Sequence, residues 1–120
     1  MIKNIPSILQ VLPSLNFGGV ERGAIDIAIA VKENGWNSFV ISAGGLMKKE
    51  LDRAGIVHFD LPLQSKNPFI LHKNSSKIAS IIYEHNIDIV HARSRAPAWS
   101  AYFASKRMKC QFVTTFHGTY

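Results

Sequence analysis

Cysteine is almost missing from the chain: among 120 residues only Cys110 carries a thiol. A lone thiol closes no internal disulfide, so the fold must rest on a packed core, and a reducing cytoplasm suits it. Missing too is any apolar run approaching the ~20 residues of a membrane span. The opening MIKNIPSILQVL has one lysine, an apolar run broken at Pro6 and no small-residue cleavage site, so a secretory leader is not expected. Repeats and low-complexity tracts are likewise absent. With 47% hydrophobic and 18% charged residues, the composition is that of a globular chain long enough for one domain. Acidic residues are scarce and stop after Asp88, whereas Arg93, Arg95, Lys106, Arg107 and Lys109 all follow it. Fourteen Lys and Arg against eight Asp and Glu leave a net charge of +6. Such a surface suits an anionic partner (phosphate, anionic lipid or nucleic acid), or serves only solubility.

Several catalytic signatures are also lacking. There is no G-x-S-x-G elbow, and Cys110 stands at the wrong end of its expected strand, so nucleophilic catalysis has no candidate. No histidine–carboxylate spacing suggests a metal site. Neither G-x-G-x-x-G nor a Walker A ending is found. Aromatic residues are not interleaved with basic ones as a single-strand nucleic-acid platform requires.

What is present is a regular alternation. Ser7–Leu12 (SILQVL) is a short apolar run stopped by Pro13 and reads as a buried strand. Val20, Ala24, Ile27, Ala28 and Val31 recur at helical spacing as far as Gly35. NSFVIS at 37–42 is the next strand, closed by Gly44-Gly45. Leu46–Ala54 reads as a short helix stopped by Gly55, and IVHFDL at 56–61 as a third strand. Asn67-Pro68 has the form of a cap followed by proline at the first helical position. The helix it opens runs to about His85, with Asn74-Ser75-Ser76 as a point of interruption. DIVHA at 88–92 is a fourth strand, Ala96–Arg107 a helix, and QFVTTF at 111–116 a fifth strand. The strands are rich in β-branched residues without polar alternation, as in a parallel sheet covered on both faces. The expected class is α/β, a doubly wound, Rossmann-like parallel sheet. Trp36 and Trp99 are expected to pack at helix ends.

In such sheets ligands bind outside the carboxyl ends of the strands, where the strand order reverses. The first strand leads into NFGG and the helix follows at once. Gly18 and Gly19 thus stand where the unpaired N–H groups and partial positive charge of a helix start can meet phosphate. A plain tight turn would use the same residues. The fourth strand runs into HARSR, carrying His91, Arg93 and Ser94 to that rim, and the fifth into HGT, carrying His117. Three loops distant in sequence are therefore expected to converge on one cleft. The competing readings are a core histidine at 91 and solvated arginines at 93 and 95. His58, His72 and His85 read as structural or exposed.

Taken together, LPSLNFGGVERGAIDIA, DIVHARSRAPAWSAYFA and FVTTFHGTY resemble, in order and spacing, the N-terminal domain of GT-B fold, family 4 retaining glycosyltransferases. The resemblance covers essentially the whole chain. It implies transfer of a sugar from a nucleotide-sugar donor, bound as substrate, to an acceptor with retention of configuration, with no metal and no other cofactor. It implies that residues 1–120 are the acceptor-side Rossmann-like domain, truncated. The donor-binding C-terminal domain, with the family's Arg/Lys pair and E-x7-E motif, is absent, so the isolated chain is expected to be inactive. By the same resemblance Gly18 and Gly19 offer backbone N–H groups to the donor diphosphate, and His117 is the catalytic-site residue on the transferred sugar. His91, Arg93 and Ser94 border the acceptor side of the cleft, and Glu21 supports the loop. Arg93 stands where the family's motif after the fourth strand usually has a second histidine, which leaves acceptor choice open. The expected acceptor is a cell-envelope glycan or lipid, as in lipopolysaccharide biosynthesis. The expected place is the cytoplasm or the inner face of the membrane, with peripheral contact to anionic lipid and no nucleic-acid partner. Two readings of other classes stay open: a stand-alone Rossmann-like module that binds a nucleotide or sugar phosphate, and a non-functional gene remnant.

Overall fold

Along the chain run β1 (Ser7–Val11), α1 (Gly19–Glu33), β2 (Asn37–Ser42), α2 (Lys48–Ala54), β3 (Val57–Asp60), α3 (Pro68–His85), β4 (Ile89–Arg93), α4 (Arg95–Met108) and β5 (Gln111–Thr115). These elements come from a computed structural model, which describes residues 5–16, 19–63, 65, 67–93 and 95–115. The strands form one parallel sheet in the order β3-β2-β1-β4-β5. Leu9 of β1 lies between Phe39 of β2 and Val90 of β4. The chain winds outward from β1 to β3 and then crosses to β4 on the other side of β1. The order therefore reverses between β1 and β4, and the doubly wound α/β fold is the one the sequence led us to expect.

Successive strand side chains point to opposite faces, and here both faces are apolar. Leu9, Val11, Ile41, Val90 and Ala92 pack with Ile78 and Ile82 of α3 and Ala101 and Ala104 of α4. On the other face Val40 packs with Ala24, Ile25 and Ala28 of α1 and Leu51 of α2. Each large side chain so buried contributes ~1.5–3 kcal/mol. Among the buried polar residues of β1 is Gln10, beneath α1, whose Nε2 donates to the Ala24 carbonyl at 2.8 Å.

Three expectations are corrected. The core stripe of α1 is Ala24, Ile25 and Ala28, whereas Ile27 is exposed and Val20 and Val31 are half-buried. The stripe is rotated because the small Gly23 and Ala24 face polar groups that rise from the sheet. No break occurs in α3 at Asn74-Ser75-Ser76, because those polar groups are used in packing. Asn74 Nδ2 donates to the Pro62 carbonyl at 3.3 Å, and Ser75 is buried. Neither tryptophan is a packed helix end: Trp36 and Trp99 are both exposed, and Trp99 lies within α4. The start of α3 is as expected, with the Asn67 side chain accepting from Phe69 N at 2.9 Å ahead of Pro68.

Candidate functional site

The carboxyl end of β1 does not curl away into solvent but runs on beside the loop that follows β2. Leu12 N donates to Ile41 O at 3.1 Å, Ala43 N to Pro13 O at 2.9 Å, Leu15 N to Gly44 O at 2.7 Å and Met47 N to Leu15 O at 2.8 Å. Two loops are thereby laced together at the rim. The approach is closest at Gly45, whose φ is +146° and where a Cβ would stand 2.4 Å from the Leu15 carbonyl carbon. Only glycine fits there.

The loop after β2 is braced from below. Ser42 Oγ accepts from Gly44 N at 3.0 Å and lies 2.6 Å from His58 Nε2. His58 Nδ1 is 3.6 Å from Asp60 Oδ1, too long for a hydrogen bond. These are the residue types of a serine-nucleophile triad, yet Ser42 is fully buried and its hydroxyl already serves the loop. The cluster is a brace. Burial pushes the His58 pKa below its ordinary value, against the pull of Asp60, so the ring is neutral at pH 7.

Beyond this laced segment α1 begins at Gly19, its N-terminus at the rim. A Cβ built on Gly19 meets nothing within 4 Å among the described residues, so packing does not require the glycine. Beside it lies a small cavity of about 140 Å³ lined by Leu12, Pro13, Ser14, Val20 and Glu21. Arg22, one turn further, pairs with Glu50 of α2 at 2.8 Å and with Asp26 at 3.0 Å, tying α1 to its neighbour.

Arg93, the last residue of β4, is buried, with 3% of its surface exposed. Its Nε donates to Gln10 Oε1 at 3.1 Å, and Gln10 in turn reaches Ala24 O. Its Nη1 lies 3.6 Å from where a Cβ on Gly23 would be. The guanidinium thus lies under the first turns of α1, at the point between β1 and β4 where the strand order reverses. Burial lowers its pKa from the ordinary arginine value, but arginine stays charged in proteins. A permanent positive charge therefore lies within a turn of the start of α1, an arrangement that favours an anion.

The structure places the Arg93 guanidinium against Gly23, one turn into the helix that starts at Gly19. His91 sits two residues earlier in β4, half-buried between Gln10 of β1 and Val113 of β5. It stands below the rim, on the same side of its strand as Arg93. Gly18, Ser94 and His117 lie outside the described residues, as does Phe116 at the expected end of β5. Arg93 is no solvated loop residue. Sequence reasoning missed Gln10, Gly23 and Gly45, although a lone amide inside the apolar run SILQVL was a visible signal.

Among the described residues no group of three or more His, Cys, Asp or Glu is placed to hold a metal ion, and no helix is long and apolar enough to cross a membrane. A family model described as Glycosyltransferase Family 4 matches residues 17–120. A glycosyltransferase from Rickettsia africae ESF-5 is 51% identical, with a TM-score of 0.89 over 98% of this chain and 31% of that one. The chain thus spans about a third of that relative. Two more distant structures share the fold. MurG of Acinetobacter baumannii has 14% identity and a TM-score of 0.74 over 95% of this chain and 37% of that one. A UDP-N-acetylglucosamine 2-epimerase, described as putative, from Listeria monocytogenes has 17% identity and a TM-score of 0.61 over 92% and 30%. Among curated proteins no relative matches.

Proposed function

The chain belongs to Glycosyltransferase Family 4, and from that membership we propose that it is the acceptor-side, N-terminal domain of a two-domain sugar transferase. In this reading the donor is a nucleotide sugar held mainly by a C-terminal domain beyond these residues. The acceptor is a cell-envelope glycan or lipid, configuration is retained, and neither metal nor cofactor takes part. The chain alone does not turn over. Work is done in the cytoplasm, at the inner face of the membrane, with peripheral contact to anionic lipid.

The observation that carries the reading is the shared rim of Gly19 and the buried Arg93 at the reversal point of the sheet. When the bond from the anomeric carbon to the diphosphate breaks, negative charge builds on the leaving oxygen. In this reading the backbone N–H groups of Gly18 and Gly19 are assigned to that charge, which donors fixed in advance stabilise most. Arg93 is fixed by Gln10 and cannot swing into the cleft as a mobile cation. Its charge instead biases the rim towards anions and, with His91 and Ser94, borders the acceptor. His117 is assigned to the transferred sugar.

The test is sugar transfer by this chain supplied with a complete C-terminal domain, across a panel of nucleotide sugars, with product anomeric configuration read by NMR. Transfer with retention from one donor is expected. No transfer from any donor, in a complex that forms and stays folded, removes the reading.

A further inference from the structure

One imidazole is buried where its protonation state reaches the rim. The His58 side chain is 1% exposed, yet its Nδ1 has no hydrogen-bond partner among the described residues. A buried nitrogen left so is uncommon and asks for a reason. The other ring nitrogen, Nε2, lies 2.6 Å from the Oγ of the fully buried Ser42, which also accepts from Gly44 N at 3.0 Å. Strand pairing sets these neighbours. In β2 and β3, Val40 stands opposite His58 and Ser42 opposite Asp60, so Ser42, His58 and Asp60 share one face of the sheet.

Where the ring carries its proton follows from these surroundings. Asp60 Oδ1 stands 3.6 Å from Nδ1, beyond hydrogen-bond length but close enough for charge to act. A bare Nδ1 would set its lone pair against that carboxylate, whereas Nδ1–H sets a positive end against it. With the proton on Nδ1, Nε2 is bare and accepts the Ser42 hydroxyl proton. Each group then has one role: Gly44 N–H donates to Ser42 Oγ, Ser42 O–H donates to Nε2, and Nδ1–H faces Asp60. The upper end of this relay meets the rim, because Gly44 O accepts from Leu15 N at 2.7 Å and Gly45 lies against the Leu15 backbone. A second ring proton reverses the arrangement. It sits on Nε2, which then donates to Ser42 Oγ, and that oxygen's acceptor sites are both filled by N–H groups. The displaced hydroxyl proton turns into the core, and Ser42 Oγ makes no other hydrogen bond among the described residues.

We propose that His58 is a positioning residue for the rim: its neutral ring, protonated on Nδ1, holds the loop at 43–45 through Ser42, and a second proton releases that loop from residues 12–15. The charged groups acting on the ring are Asp60 at the end of its own strand and Lys48 and Asp52 of α2; β2 offers it only the neutral Ser42. The two carboxylates favour the charged ring and Lys48 opposes it, but burial outweighs them and favours the neutral form. The relay is therefore closed at pH 7 and opens on acidification. Because the loop is laced to the segment leading into α1, acid loosens the entry to that helix before the sheet itself gives way. The inference goes beyond the transferase reading, and none of its readouts needs sugar transfer.

The test is NMR on the full, isotope-labelled chain, with His58→Gln identifying the ring signals. At pH 7 the His58 ring should carry its proton on Nδ1, with Nε2 bare. Between pH 7 and pH 5, hydrogen-exchange protection of the Leu15 and Gly44 amides should fall at least about ten-fold, the loss of one neutral hydrogen bond. The fall should follow the ring's own midpoint, below the ordinary 6.5. The amide of Asn37, bonded to Pro6 O at the opposite end of the sheet, should not follow it. Ser42→Ala keeps the ring and removes the relay. His58 should then take up its second proton about ten-fold more tightly, and the loop amides should no longer track it. Asp60→Asn should lower the midpoint and Lys48→Gln should raise it. A ring with its proton on Nε2, loop amides indifferent to the titration, or amides that track it as well in Ser42→Ala as in the wild type overturn the proposal. If Ser42→Ala does not fold, the tautomer and the absence of any loop step in His58→Gln decide between the same two outcomes.

Discussion

Substituting alanine for Gly45 tests whether the two rim loops are pressed together. The added Cβ would lie 2.4 Å from Leu15 C, 2.5 Å from Leu15 O and 2.7 Å from Asn16 N, all backbone atoms, at a φ of +146°. No side-chain rotation relieves contacts with backbone. The left-handed conformation with a Cβ costs ~1–3 kcal/mol, and overlap in a packed site costs ~1–3 kcal/mol more. The sum, about 2–6 kcal/mol, is a large share of the ~5–15 kcal/mol that stabilises a typical domain. At roughly 4 °C per kcal/mol, the melting temperature should fall by about 8–24 °C. Gly44→Ala is the control. Its φ is +88°, but its Cβ would meet only Asp60 Oδ1 at 3.3 Å, an exposed side chain able to swing aside. It should therefore cost the strain alone. Urea unfolding followed by circular dichroism measures both. If Gly45→Ala unfolds at the same urea concentration as Gly44→Ala, the loops are not in the contact described, and the support of the α1 entry must be sought elsewhere.

Gly19→Ala should act in the opposite sense, leaving stability unchanged or raised by up to ~1 kcal/mol through helix propensity. In the completed two-domain enzyme it should lower kcat/KM at least about ten-fold, the effect of ~1.4 kcal/mol at the diphosphate; wild-type transfer would remove Gly19 from the site. Arg93→Met should cost ~1–3 kcal/mol in urea unfolding because Gln10 Oε1 loses a buried donor. A double variant with Gln10→Leu should recover part of that loss, and strict additivity would refute their coupling. The His58 ring, neutral when folded, has its pKa lowered below the ordinary 6.5 by burial. The unfolded chain therefore takes up that proton first as the pH falls, and stability should decline as pH drops through 6.5 towards the folded value. His58→Gln should show a shallower decline between pH 7 and pH 5 in paired urea titrations; identical slopes would place the linkage in other groups.

How far the fold could be read from sequence follows from where its information is local. Asn37–Ser42 came out with the expected bounds because a β-branched run lies between turn residues at both ends. Asn67-Pro68 marked a helix start because a cap and its proline adjoin in sequence. The break expected in α3 shows the opposite. Asn74 and Ser75 resemble a turn locally, and only the fold shows that Asn74 is used on the Pro62 carbonyl and that Ser75 is buried inside a helix. That α4 buries Ala101 and Ala104 and exposes Trp99 and Phe103 was hidden for a related reason. A helical period of apolar residues tells that a face exists, not whether the small or the large side chains turn inward. That choice was made by how close α3 and the sheet must lie.

The rim itself was only half legible, because its charged residue depends on partners that carry no signature of their own. Arginine at the end of an apolar strand reads as a residue that leaves the core for water. It stays buried because Gln10, 83 positions earlier, offers an acceptor, and because Gly23 has no side chain where the guanidinium lies. Gln10 alone looks like a flaw in a strand, and Gly23 alone looks like a weak spot in a helix. Each becomes intelligible only when β1, β4 and α1 are stacked. A larger residue at 23 would press on Arg93, and the guanidinium would have to move towards the rim or the helix away from the sheet. Either displacement changes the charge presented beside the start of α1, so a residue with no side chain of its own sets where the Arg93 charge lies.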